Sequence, residues 1–149
     1  MSARKKIQRF ELLVKLAERK RKEAERLLAE TQQRVRQAET GLQQLKTYQL
    51  EYQQQFTQAG QGGLSAGQVQ THQAFIGRLN GAQQQQQEAL VQSRAQLEQV
   101  ENYWRQALAH QKAMQKLLDK AVEELARFED KRDQQLLDER AQHTRPTFI

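Results

Sequence analysis

The chain has 149 residues, 37% of them hydrophobic, with no cysteine, one proline and a formal net charge of +6. The missing cysteines exclude disulfides, thiolate catalysis and thiolate metal sites, and suit a reducing cytosol. The longest early apolar run, Leu12-Leu13-Val14, is far too short for a signal sequence or a membrane span, so a soluble cytoplasmic protein is expected. Low hydrophobicity and abundant glutamine argue against a globular core and for long helices.

The charge is concentrated at one end. Residues 1–26 carry ten Lys or Arg against four Glu, residues 27–100 five against five, and residues 101–149 nine against nine. Two readings follow: an electrostatic surface for an acidic partner, nucleic acid or anionic lipid, or the solvated face that exposed helices ordinarily carry.

A first helix is expected from Ala3 or Arg4 to about Gln58. Its heptad a row is Ile7, Val14, Arg21, Leu28, Val35, Leu42, Gln49 and Phe56, and its d row Phe10, Ala17, Ala24, Thr31, Ala38, Leu45 and Tyr52. With 12 of these 15 positions apolar, the helix requires a partner and a left-handed supercoil. Gly41 lies inside the pattern at a cost of roughly 1 kcal/mol against alanine, and its missing side chain leaves room for another surface. Residues 59–64, with Gly60, Gly62 and Gly63, should end the helix and reverse the chain.

Ser65-Ala66-Gly67-Gln68 has the spacing of a capping box and marks the start of a second helix, expected over about 65–141. Its a row is Ile76, Gln83, Leu90, Leu97, Trp104, Gln111, Leu118 and Leu125, and its d row Leu79, Gln86, Ser93, Val100, Ala107, Met114, Ala121 and Phe128. Gly77 to Gln87, with five consecutive glutamines, is the weak part, where a looser or bent helix is expected. Residues 142–149, containing Pro146, should fray.

Two such helices joined by a short turn predict an all-α fold, a long antiparallel coiled-coil hairpin forming a single domain. The register puts Leu45 near Ile76 and Leu79, Val35 near Leu90, Leu28 near Leu97 and Ile7 near Leu118. About 25 C-terminal residues then have no first helix left to face, including Leu125 and Phe128. This protruding end reads either as a solvated helix held by i to i+4 pairs or as a segment that inserts into a larger assembly.

No catalytic constellation is present. His72, His110 and His143 are too far apart to share a metal, and a lone histidine on a helix usually faces solvent. The glycines of the turn lack the Lys-Ser or Lys-Thr of a P-loop, and two helices offer no water-excluding pocket. No enzyme activity, metal or cofactor is expected. Near the turn, Tyr48, Tyr52 and Phe56 precede Phe75 and Ile76. Tyr52 and Phe56 are seam residues, whereas Tyr48 and Phe75 flank the seam and face each other. Partly exposed rings there suit a docking site or a local thickening of the core.

These residues carry a family resemblance. Tyr48-Gln49-Leu50-Glu51-Tyr52, the glycine-containing turn, Gln73-Ala74-Phe75-Ile76-Gly77-Arg78-Leu79 and Asn102-Tyr103-Trp104-Arg105 resemble FliJ, the small coiled-coil component of the bacterial flagellar type III export apparatus, over most of the length. Injectisome counterparts share the architecture with little sequence. The resemblance implies a likeness to the central stalk subunit of rotary ATPases. On that likeness the paired termini would enter a hexameric export ATPase, through Arg4, Lys5, Lys6, Arg9, Leu125 and Phe128. The turn end would approach the cytoplasmic domain of the export gate, through Leu45, Tyr48, Tyr52, Phe75, Leu79 and Ala82. Gly41 and Gln86 fall in the same patch. It further implies escort of unloaded export chaperones, a place on the cytoplasmic side of the inner-membrane export apparatus, and no nucleic-acid partner. The alternative is a coiled coil binding nucleic acid or a membrane surface through Arg4 to Arg26.

Overall fold

A computed structural model of the chain describes residues 2–144. It contains two helices, α1 (Ala3–Ala59) and α2 (Ala66–Thr144), joined by a single 3-10 turn at Gly60–Gly62. They pack against each other as an antiparallel hairpin, with α2 continuing past the start of α1. α2 runs on beyond the expected end near Ala141, and the part of the expected frayed tail from Arg145 onward lies outside the described residues.

The reversal is built locally. Gly63 has φ 91°, a conformation that costs glycine little, and its N–H donates to the Gly60 carbonyl at 3.1 Å. The capping box forms: the Gln68 N–H donates to Ser65 Oγ at 3.2 Å, and the Ser65 N–H donates to Gln68 Oε1 at 2.9 Å. Two orphan donors at the start of α2 are thereby satisfied before any packing against α1.

Contacts divide the chain into two compact units, a turn unit, Ala24–Trp104, and a terminal unit in which α1 up to Glu23 packs with α2 from Arg105. In the turn unit Val35, Ala38, Leu42 and Leu90 form a buried cluster, and Leu97 packs against it. The expected pairing of Val35 with Leu90 is thus present. Glu39 and Arg94 bridge the two helices at 3.2 Å beside this cluster. In the terminal unit Val14, Ala17, Ala107 and Ala121 are buried.

Every a and d position of α1 from Ile7 to Phe56 is buried or half-buried, as is every one of α2 from His72 to Leu125. Seam residues thus meet the partner helix even where they are polar. The d row of α1 is small where it is most buried: Ala17 (2% exposed), Ala24 (0%) and Thr31 (1%). A buried methyl contributes only about 0.8 kcal/mol, so what these residues supply is close approach, since interaxial distance follows the side chains at the contact. Thr31 is tolerated because its hydroxyl donates to the Leu27 carbonyl at 2.7 Å.

Several polar seam residues find hydrogen-bond partners on the other helix. In the turn unit Gln83 donates to Gln49, which in turn donates to Asn80 Oδ1 at 3.1 Å. Gln86 Nε2 donates to the Ala38 carbonyl at 3.2 Å. In the terminal unit Arg21 donates to Gln111. Polar pairs within the seam, half-buried here, help to fix coiled-coil register. α2 is one continuous helix through the glutamine run, and both of its seam glutamines find partners. One expectation is corrected. The space left by Gly41 is not open to another surface, because a Cβ there would sit 2.8 Å from Gln86 Nε2. The glycine in α1 is what seats Gln86.

Candidate protein-binding surfaces

Beside the turn, aromatic rings from the two helices alternate. Tyr48 meets Phe75 edge-on at 6.0 Å, Phe75 lies 4.3 Å from Tyr52, Tyr52 stacks on His72 at 5.3 Å, and His72 stacks on Phe56 at 3.6 Å. An edge-on pair such as Tyr48 with Phe75 adds about 0.5–1.5 kcal/mol beyond the area it buries. Tyr48 remains 50% exposed, whereas Phe75, Tyr52 and Phe56 are half-buried. Of the other residues expected at this end, Leu45 and Ala82 are half-buried and Leu79 is buried in the seam. Tyr48 thus presents the most ring surface, held by Phe75, and Leu79 backs the patch from beneath.

His72 departs from the expectation of a solvent-facing histidine. It is half-buried between Tyr52 and Phe56, and its Nδ1 is buried without a hydrogen-bond partner. The signal was available in the heptad: His72 lies seven residues before Leu79 and so continues the d row one step toward the turn. A hollow next to it is lined by Tyr52, Phe56, Leu64, Ser65 and Thr71.

In the terminal unit, Arg4, Lys5, Lys6 and Arg9 occupy the exposed first turns of α1, where the Lys5 N–H donates to Ser2 Oγ at 3.3 Å. Lys6 pairs with Glu124 at 3.9 Å and lies 6.0 Å over the Phe10 ring. A hollow lined by Ala3, Lys6, Ala121, Glu124, Leu125 and Phe128 joins this basic turn to α2. Leu125 is half-buried there, and Phe128 is 65% exposed at its rim. Lys6, Leu125 and Phe128 are therefore brought together. From Phe128 to His143 every residue of α2 is exposed.

Among the described residues no group of acidic or histidine side chains could hold a metal ion, and no helix is long and apolar enough to cross a membrane. What the described residues offer is two surfaces: an aromatic patch beside the turn, and a basic, leucine-bearing surface with a protruding helix at the termini. These features define a two-helix hairpin. The family model described as Flagellar FliJ protein matches residues 5–145, nearly the whole chain, and the chain belongs to the FliJ family, a non-catalytic component of the flagellar type III export apparatus. No curated protein and no solved structure matches it.

Proposed function

We propose that the chain is the stalk-like link between the hexameric export ATPase and the cytoplasmic domain of the export gate. It promotes assembly and activation of the ATPase and so drives protein export, binds no nucleotide itself, works peripherally on the cytoplasmic side of the inner-membrane apparatus, and escorts unloaded export chaperones. The carrying observation is the half-exposed Tyr48 ring held edge-on by Phe75. An aromatic side chain pre-positioned at a surface is the type of residue that anchors protein interfaces. Tyr48, Tyr52, Phe75, Leu79, Leu45 and Ala82 form the gate-facing surface in this reading. Arg4, Lys5, Lys6, Arg9, Leu125 and Phe128 form the ATPase-facing one. The hollow shared by Lys6, Leu125 and Phe128 supports the second assignment, because it offers a cation and exposed apolar area together.

The test is titration of the isolated gate domain and of the isolated ATPase with the full chain and with Tyr48→Ala. Loss of gate binding with ATPase activation unchanged is the expected result. Undiminished gate binding by a folded Tyr48→Ala variant would remove the gate assignment. Gate binding that falls steeply with salt would instead favour a charge-dominated contact.

A further inference from the structure

We propose that the protruding end of α2 is a self-association segment: Glu129, Asp133, Leu136 and Leu137 of one copy lie along Lys5, Arg9, Leu12 and Leu13 of a second copy, and reciprocally, giving a two-fold symmetric dimer through the terminal units.

Two surfaces of the terminal unit carry apolar area that the described residues leave exposed. On α1, Leu12 is 58% and Leu16 46% exposed, and a groove beside them is lined by Leu13, Leu16, Ala17, Arg19, Lys20 and His110, among others. On the end of α2, Leu136 is 47% and Leu137 62% exposed, gathered with Asp133 and Arg140 around one hollow. α1 cannot cover these leucines within the same chain. Lys6 is already level with Glu124, so α2 beyond Phe128 extends past the first residues of α1.

The two surfaces match in spacing and oppose in charge. Lys5, Arg9, Leu12, Leu13 and Leu16 follow one another at the same intervals as Glu129, Asp133, Leu136, Leu137 and Arg140. Steps of three and four residues keep each set on one face of its helix. Laid side by side in parallel, they set Lys5 against Glu129, Arg9 against Asp133, Leu12 against Leu136 and Leu13 against Leu137. Just outside this row, Lys15 falls level with Glu139. Each stretch is about 18 Å long at the helical rise.

Symmetry makes the occupant a second copy. Within one chain α1 and the end of α2 run in opposite directions, so a two-fold axis across the helices near the start of α1 places the partner's α1 parallel to that end. The same operation lays the partner's end of α2 along the first chain's α1. Each contact is made twice and the assembly closes. The dimer covers Lys5 and Arg9, so it competes with any ligand of that surface. The inference does not rest on the stalk reading, and its test contains neither ATPase nor gate.

The experiment is sedimentation of the isolated full chain over a micromolar concentration series, with helicity checked by circular dichroism. The chain should associate to dimers, more weakly as salt rises. Glu129→Lys with Asp133→Lys, and separately Lys5→Glu with Arg9→Glu, should each weaken association at least about tenfold, and an equal mixture of the two variants should restore it, because both contacts are then again between opposite charges. All four positions are exposed, so the fold should survive. The absence of native cysteine allows a direct check: Leu12→Cys chains mixed with Leu136→Cys chains should form disulfide-linked pairs. A chain that stays monomeric throughout, charge variants that associate like the parent, or crosslinks joining only Leu136→Cys to itself would each overturn the proposal.

Discussion

Tyr48 and Tyr52 sit one helical turn apart and differ in what surrounds them. Tyr48 meets Phe75 edge-on and keeps half its surface in solvent, whereas Tyr52 is packed between Phe75 and His72. Tyr48→Ala should therefore cost the fold about 1 kcal/mol, and Tyr52→Ala about 3 kcal/mol, toward the value for emptying a buried aromatic site. Phe75→Ala should fall between them at about 2 kcal/mol, since Phe75 bridges the two tyrosines. On the stalk reading, Tyr48→Ala should still lose on the order of 2 kcal/mol of gate affinity. Melting curves and gate titrations of the three variants check this ordering. Gly41 offers a second test. Gly41→Ala gains roughly 1 kcal/mol of helix propensity but displaces the Gln86 amide from the Ala38 carbonyl. In the Gln86→Ala background the full gain should appear, and in the parent it should be mostly cancelled, so a double-mutant cycle should show coupling. At this scale the sequence was least legible. Gly41 reads as a helix-weakening residue until Gln86 is seen beneath it, and His72 as a solvent histidine until Phe56 is seen stacked on it.

For the helices taken as elements, the legible part was large, because periodicity is a property of each strand of sequence alone. The heptad assigned from Ile7 to Phe56 coincides with the buried stripe of α1 at every seam position, and the Ser65–Gln68 capping box forms with both of its bonds. What periodicity could not supply was the content of the polar layers, since the pairing of Gln49 with Gln83 and of Arg21 with Gln111 depends on side-chain reach across the seam. Cysteines placed at Val35 and Leu90, which share one buried cluster, should form a crosslink within a single chain. Electrophoresis under denaturing, non-reducing conditions should show a compacted monomer. Crosslinks only between chains would mean that the helices pair in another arrangement.

For the whole molecule, the question is which stretches are held by the fold and which are left for partners. Deleting residues 129–144 with the tail removes only exposed positions among those described, so the melting temperature should change by no more than a few degrees. On the stalk reading the same deletion should reduce ATPase activation, and circular dichroism with an ATPase assay separates the two outcomes. The aromatic patch was visible in the sequence as a cluster of rings on both sides of the turn. The exposed leucines of the first and last turns were not singled out, because a leucine in a heptad-rich helix reads as seam until burial is known. Leu12 and Leu136 stand off the seam in the structure, and that exposure is what makes the terminal unit a surface with work left to do.

The turn also imposes an order in time. Tyr52 and His72 are joined by a short loop and a few helical turns, so their contact closes at little entropic cost, whereas Arg21 and Gln111 are 90 residues apart and meet only after the intervening helices have zipped. During synthesis the first turns of α1 leave the ribosome long before Ala121 and Glu124 exist to receive them. The basic end of the nascent chain therefore has no partner helix until those residues are made, whereas the residues of the aromatic patch are made close together. A chain stopped short of Ala121 would contain every residue of the turn unit, Tyr48 and its ring partners included, yet would lack the hollow that holds Lys6, Leu125 and Phe128 together. On the stalk reading such a fragment keeps the gate-facing residues and lacks Leu125 and Phe128 of the ATPase-facing set, so it should bind the gate domain without activating the ATPase.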